Sequence, residues 1–372
     1  MNNLDAFVGL LLFLAGAPAL VIQLISNDVR HILLKSRRQQ LAFIIKLYWP
    51  SLAGFFLIIL GYSIYIDVAI NNPNDARLYV VEAILLSIMI LLTLIVCIMI
   101  LPYASKRGLV TDQARRVINR HKSQRHMPAI YINNLVLLGR ESKPGEEKSW
   151  SIEAIGKIVT YRLSDAVYRG NEMESLINAL HDILLGDDNC GAPENFQKAI
   201  DILSQIIQQY HHQSNISQAD LRWSQKALSS LGKRALDFHT PDVALSCINA
   251  LGVNFIELTP SASQSLCEIA ETALNKKQTL VAMQALNIIG SAVYEAGLQP
   301  QSAEIMYDYL GLLGAFWAHG ESAQSIANRD LNDLKAGGKI NLKELVERAI
   351  EHHRETLRFE VADKISTMWS EY

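Results

Sequence analysis

The stretch Val80–Arg125 constrains this chain most, because its character changes abruptly partway along. Ala83–Leu101 runs for 19 residues without an ionisable side chain. The residues that follow turn basic, with Lys106, Arg107, Arg115, Arg116, Arg120, Lys122 and Arg125 set against one acid, Asp112. A run that long matches the ~30 Å hydrocarbon core of a bilayer at ~1.5 Å per helical residue. Two further apolar runs, Ala6–Ile25 and Leu47–Ile66, are 20 residues each. The sequence therefore predicts three transmembrane helices (6–25, 47–66 and 82–101) in a membrane domain over residues 1–105. The leader MNNLD has no Lys or Arg, so the first run lacks the positive region of a cleaved signal peptide.

Charge sets the expected orientation. The loop after the first run carries Arg30, Lys35, Arg37, Arg38 and Lys46, the loop after the second carries Arg77 alone, and the segment after the third carries the seven cations above. The positive-inside rule then places the N-terminus and Asn71–Arg77 outside and the whole C-terminal part in the cytoplasm. The expectation is a multi-pass integral protein of the bacterial inner-membrane kind. Arg30, Lys35, Arg37, Arg38, Lys106, Arg107, Arg115, Arg116 and Arg120 are its expected contacts with an anionic inner leaflet of the lipid bilayer. Residues 106–150 read as a basic juxtamembrane segment and linker. Leu109–Lys122 has apolar residues at Val110, Ala114, Val117 and Ile118, which fits either an amphipathic basic helix on the leaflet or a plain extension of the third span.

The two parts of the chain differ in sign. Thirteen of the 34 Lys and Arg fall within residues 1–128 against six of the 37 acids, which leaves +7 there and −10 in the rest. A C-terminal part this acidic is unsuited to wrapping nucleic acid, where neutralisation of phosphate dominates affinity. The four cysteines, Cys97, Cys190, Cys247 and Cys267, form no CxxC pair, which argues against a disulfide scaffold.

From Ser151 onward the pattern is helical. The expected helices are Ser151–Arg169, Met173–Leu185, Pro193–Tyr210, Gln218–Phe238, Pro241–Ile256, Ser261–Asn275, Thr279–Gly297, Pro300–Phe316, Ser322–Leu334 and Leu342–Trp369. Thr240 before Pro241 and Thr259 before Pro260 have the N-cap and Pro-N1 chemistry of helix starts. Ile130–Leu138 suits a short strand or a helical turn. An internal repeat at an offset of 38 aligns Leu231–Gly252 with Ile269–Gly290. Its identities are Ala235/Ala273, Leu236/Leu274, Val243/Val281, Ala244/Ala282, Asn249/Asn287 and Gly252/Gly290. Each unit is the end of one helix, a turn and a second helix. The pattern resembles the helix-hairpin α-solenoids seen in armadillo, HEAT and tetratricopeptide proteins, with a period that matches none of them. The fold class is therefore all-α, with a helical repeat domain over 151–336 and a long charged C-terminal helix over 337–372 that caps it.

Chemical motifs are absent. No phosphate loop, GxGxxG, HExxH, GxSxG or calcium loop occurs. His352-His353, flanked by Glu351 and Glu355, reads as a solvated helix face, since adjacent residues point about 100° apart and metal ligands recur at i and i+3 or i+4. His211-His212 reads as a helix end, Asp187–Gly191 as a surface loop, and Trp317 with His319, Gly320 and Glu321 as an isolated cluster. The functional expectation is a scaffold or adaptor, not an enzyme, with no cofactor or metal. The helical repeat is expected to bind a protein partner, with self-association as a homo-oligomer open. The alternative is an oligomeric channel, sensor or membrane-disrupting effector gated by the helical domain.

Overall fold

The computed structural model describes the chain from Lys106 to Tyr372, apart from 125–126, 128, 141, 143–144, 165–171, 186–191, 213–216, 253–258, 297–302 and 337–340, together with Gly16 and scattered positions between Pro50 and Ile98. The described residues are helical and include no strand. From Lys106 on there are thirteen helices. They are α1 (Lys106–Gln124), α2 (Ala129–Arg140), α3 (Glu146–Ser164), α4 (Glu172–Leu185), α5 (Pro193–His212), α6 (Gln218–Asp237), α7 (Pro241–Leu251), α8 (Pro260–Asn275), α9 (Thr279–Ala296), α10 (Ala303–Trp317), α11 (Glu321–Ala336), α12 (Leu342–Glu355) and α13 (Phe359–Glu371). Two compact units divide the chain, residues 1–116 and 117–372.

Among the described residues no helix is long and apolar enough to cross a membrane. This overturns the expectation of a multi-pass integral membrane protein with an external N-terminus and a cytoplasmic C-terminal domain. The longest helices, α5 and α6, have 20 residues each and so meet the length requirement. They fail on composition: α5 carries Glu194, Lys198 and Asp201, and α6 carries Asp220, Arg222, Lys226, Lys233, Arg234 and Asp237. The first two apolar runs and much of the third lie outside the described residues, and the orientation argued from their loops falls with the spans.

In the second unit the helices stack in two rows. Even-numbered helices pack each on the next, α2 on α4, α4 on α6, α6 on α8 and α8 on α10. Odd-numbered helices do the same from α3 through α5 and α7 to α9. Most sequential helices also pack on each other, so most helices of the stack bury apolar side chains against two or more neighbours. No hairpin closes a core alone, and stacking makes the core continuous. The repeat begins one hairpin earlier than expected. Ile130–Leu138 is part of α2, which buries Tyr131, Ile132, Leu135 and Leu138 in the first hairpin with α3.

The aligned segments have the same hairpin turn for the same reason. His239 has φ 57° and Lys277 φ 59°, each one residue past the end of the first turn residue after the helix. Thr240 N–H donates to the Ala235 carbonyl at 2.9 Å, and Gln278 N–H to Ala273 at 2.7 Å. These 6→1 bonds, with 3.2 and 2.9 Å bonds from the His239 and Lys277 amides, are Schellman caps that satisfy carbonyls left open at a helix end. Neighbouring turns are linked by the Asp237–Lys276 ion pair at 3.1 Å and by His319 Nε2 at 2.9 Å from Asn275 Oδ1. The expected starts hold with one change. Thr259 Oγ1 accepts from Ala262 N–H at 3.3 Å, but the Thr240 hydroxyl turns back to the Ala235 carbonyl at 2.9 Å and leaves the start of α7 to Pro241. The aligned glycines make room for neighbours: a Cβ on Gly252 would sit 2.7 Å from Ile288, and one on Gly290 3.2 Å from Tyr309.

The C-terminal segment is two helices, where the sequence predicts one. Leu357, at φ 60°, turns the chain, and Arg358 N–H donates to the His353 carbonyl at 2.7 Å in a third Schellman cap. Val361-Ala362 then stand where Val243-Ala244 and Val281-Ala282 stand in their hairpins, so α12–α13 is a further copy of the repeat. It packs on α10, where the backbone of Lys364 and Ile365 crosses within 3.0 Å of the Cβ position of Gly314.

Candidate functional site

Of the residues expected to contact a leaflet, Arg30, Lys35, Arg37 and Arg38 lie outside the described residues. Lys106, Arg107, Arg115, Arg116 and Arg120 all lie on α1, where the buried stripe is Leu109, Val110, Gln113, Ala114, Val117 and His121. Arg107 and Arg115 are exposed, Arg116 pairs with Asp112 at 2.8 Å, and Arg120 lies over the Tyr131 ring at 5.3 Å. Arg120 therefore ties α1 to α2, a role its exposure to solvent in the sequence pattern did not announce. Past Arg120, His121 meets Tyr161 edge-on at 5.8 Å and Glu172 at 3.5 Å. Glu172 also pairs with Arg162 at 3.0 Å and accepts the Met127 amide at 3.1 Å. This mostly buried ionic group fastens α1, α3 and α4.

The His352-His353 pair does not form a solvated face. His353 is fully buried and donates from Nε2 to the Tyr307 carbonyl at 3.0 Å, while the His352 ring lies tilted against the Tyr307 ring at 5.0 Å. Burial pushes the His353 imidazole below the ordinary histidine range, and the nearby Arg358 charge works in the same direction. Beside it, Asp308 accepts from Arg358 Nη1 at 2.7 Å and from the Ser263 hydroxyl at 2.6 Å. The group joins α8, α10 and the α12–α13 turn. Ser263 is fully buried, so its bond to Asp308 locks helices together. Cys247 and Cys267 are buried, and burial raises both thiols well above their usual range, away from thiolate chemistry. The described residues bring together no three metal-ligating side chains. His319 is held between the Ala315 carbonyl and Asn275, and Trp317 donates to Glu371 at 2.7 Å. Asp187–Gly191 and the His211-His212 side chains lie outside the described residues.

Two surfaces of the second unit bear on partner binding. An open groove of about 550 Å³ between α3 and α5 has Gly156 and Ile202 in its floor and Glu153, Lys157, Lys198 and Asp201 on its rims. Lys198 bonds Glu153 and holds that carboxyl below its usual range, so the groove's charges balance within it.

The second surface is on α9. Its outward side carries Leu280, Asn287, Ser291 and Tyr294, with Leu280 79% and Tyr294 52% exposed. Thr279–Tyr294 contains no charged residue. Other helices of the same row face solvent with charge: Glu194 and Asp201 on α5, Asp242 on α7, and Glu321, Arg329, Asp333 and Lys335 on α11. The row also opens here, because α11 packs on α10 and is not laid along α9 as α9 is along α7. Asn249 of α7 takes the Gln284 amide of α9 at 3.0 Å, while its repeat partner Asn287 stands exposed. Tyr309 of α10 forms the floor of the gap, its ring against Gly290 and its hydroxyl donating to Asp330 Oδ2 at 3.0 Å. Partial burial, and then the charges of Asp333 and Asp330, raise the Tyr294 phenol. In the sequence this face is announced only by an absence, the lack of any Lys or Arg from Gln278 to Asn328. Comparison of the chain with protein-family models, with curated proteins and with solved structures finds no match.

Proposed function

We propose that this chain is a helical-repeat interaction protein, a scaffold or adaptor that holds a protein partner along the outward face of α9. One observation carries the reading: a solvent-facing helix that exposes Leu280 and Tyr294 over a stretch without a charged residue. Depletion of charge with retention of aromatic and large aliphatic side chains is the compositional mark of the centre of a protein interface. Charged residues on α11 form one rim of this face, as interface rims do. A two-row stack suits the task because each hairpin is fixed by its neighbours, so the exposed face is presented on a rigid support.

The test is site-specific photo-crosslinking in the organism that makes the protein, using the full chain. A photoreactive residue at position 280, 287 or 294 is expected to give one discrete protein adduct. The same residue at Glu194 or Lys343 is expected to give none. Equal adducts at all five positions, or none at the first three, would overturn the reading.

A further inference from the structure

We infer that the partner segment held on α9 is a basic amphipathic helix, apolar along the side that meets Leu280 and cationic at the end that meets Tyr294, Asp330 and Asp333. This inference rests on the interaction reading above and adds the chemistry of the partner.

The argument is one of charge and length. From Gln278 to Asn328, 51 consecutive residues contain no Lys or Arg, while Glu295, Glu304, Asp308 and Glu321 fall within them. Asp308 is committed to Arg358 in the interior. At the far side of the gap stand Asp330 and Asp333. Arg329, the one Lys or Arg between Lys277 and Lys335, lies 3.1 Å from Asp330 and does not reverse the sign of the site. The face thus has an uncharged, half-apolar length and an anionic end that includes an exposed aromatic ring. A cation placed there gains both the carboxylates and the face of the Tyr294 ring. The apolar length favours Leu, Met or Phe at helical spacing, as in helix-on-groove recognition. Leu280 and Tyr294 are fourteen residues apart on one helix, a rise of ~21 Å at ~1.5 Å per residue. A partner helix of about four turns spans that distance. An acidic partner would meet the exposed Asp333 beside an Asp330 that Arg329 pairs, and a flat polar one would leave Leu280 in water.

The test uses the full chain and a designed peptide of about 16 residues, long enough for those four turns. The peptide has a Leu stripe and three Lys or Arg at one end, and it is titrated by fluorescence anisotropy. Two comparison peptides replace the cations by Glu or scramble the stripe. The expected result is saturable binding of the first peptide, weakened about tenfold by Asp333→Lys and several-fold by Leu280→Ser, and weakened by raising salt from about 0.05 to about 0.5 M. Asp182→Lys, at an exposed acid on α4 remote from this face, controls for general attraction to an acidic chain. Its effect is expected to stay within about twofold. Failure of the basic peptide to bind, equal binding of the Glu peptide, or equal loss with Asp182→Lys and Asp333→Lys each overturns the inference. If crosslinks at 280, 287 and 294 persist while the peptide fails, the partner chemistry is wrong and the interaction reading stands. If both fail, both fall.

Discussion

Removing either member of the Asp308–Arg358 pair should loosen the last hairpin, and Arg358→Ala should cost more than Asp308→Ala. Asp308 sits on α10 with its side chain 7% exposed; Arg358 sits in the α12–α13 turn with 27% exposed. Breaking a buried pair by removing one partner costs roughly 3–5 kcal/mol when the survivor stays dry. In Asp308→Ala the survivor is the guanidinium, which already reaches water and can swing further out. Ser263 is not orphaned either, because its hydroxyl also meets the Pro260 carbonyl at 2.9 Å. Alanine gains slightly in helix propensity. A cost of about 2 kcal/mol follows, near that of one charge-assisted hydrogen bond. In Arg358→Ala the survivor is the carboxylate, with Ser263 as its remaining donor in this group, and the cost rises to about 3 kcal/mol. The double variant should cost less than the sum of the singles by about 1.5–3 kcal/mol, since it leaves no buried charge behind. The assays are urea unfolding of the full chain and hydrogen exchange. The singles should lose protection in Leu342–Glu371 first, with α6–α8 little changed. Additive singles, or unchanged exchange in α12 and α13, would refute the view that this pair locks the hairpin.

Four further outcomes follow from the same packing. Gly314→Ala would put a Cβ 3.0 Å from the backbone of Lys364 and Ile365, which cannot rotate away, so thermal unfolding should show a loss of about 1–3 kcal/mol despite better helix propensity. Gly311→Ala, which meets the movable Val361 side chain, should lose less. Leu357→Gly should stabilise by about 0.5–1 kcal/mol in urea melts, because it relieves a left-handed residue and the 77% exposed side chain gives up no packing. His353 is held neutral by burial, so its folded pKa lies below the ordinary value of about 6.5. Above that value the imidazole is neutral folded or unfolded and its contribution is intact. Below it the unfolded chain takes the proton first, and stability falls as pH drops toward the folded value. His353→Gln should flatten the stability profile below about pH 6.5, and an unchanged slope would count against the buried-neutral assignment.

The parts of the fold legible in the sequence were those that depend on local chemistry. Pro193, Pro241 and Pro260 each start a helix in the structure, and the expected helices from Met173 to Leu334 recur with ends shifted by a few residues. The offset of 38 is the spacing of true hairpins, because the aligned Ala235/Ala273, Val243/Val281 and Ala244/Ala282 are buried in both copies and both turns have the same cap. The third copy escaped notice for a physical reason. Its turn is made by Leu357, and neither Leu nor the flanking Thr356 and Arg358 signals a left-handed residue, so Leu342–Trp369 reads as one helix. The apolar runs misled for another reason. Hydropathy reports a preference for leaving water and does not identify the apolar surroundings that satisfy it.

The site was legible only in the negative. Asp308 and Arg358 lie 50 residues apart, and Tyr309 and Asp330 lie 21 apart. No spacing rule joins either pair, because stacked hairpins and not chain neighbours bring them together. The charge-free span of α9 could be counted in the sequence, but its meaning depends on which side of the helix faces water. Buried throughout, such a span would be ordinary core. Leu280 and Tyr294 are exposed, and the helix that should have covered their flank is turned onto α10, so the same composition becomes a surface with unmet demand for apolar contact. The break in the odd row and the missing cations act together. Had α11 continued the row, Asn287 would face a helix as Asn249 does. Arg329 pairs with Asp330 and so offsets one of the two carboxylates at the acidic end. An interrupted row and an acidic end only partly offset occur together at α9, and that combination supports the proposal that this face, rather than the balanced groove between α3 and α5, receives a partner.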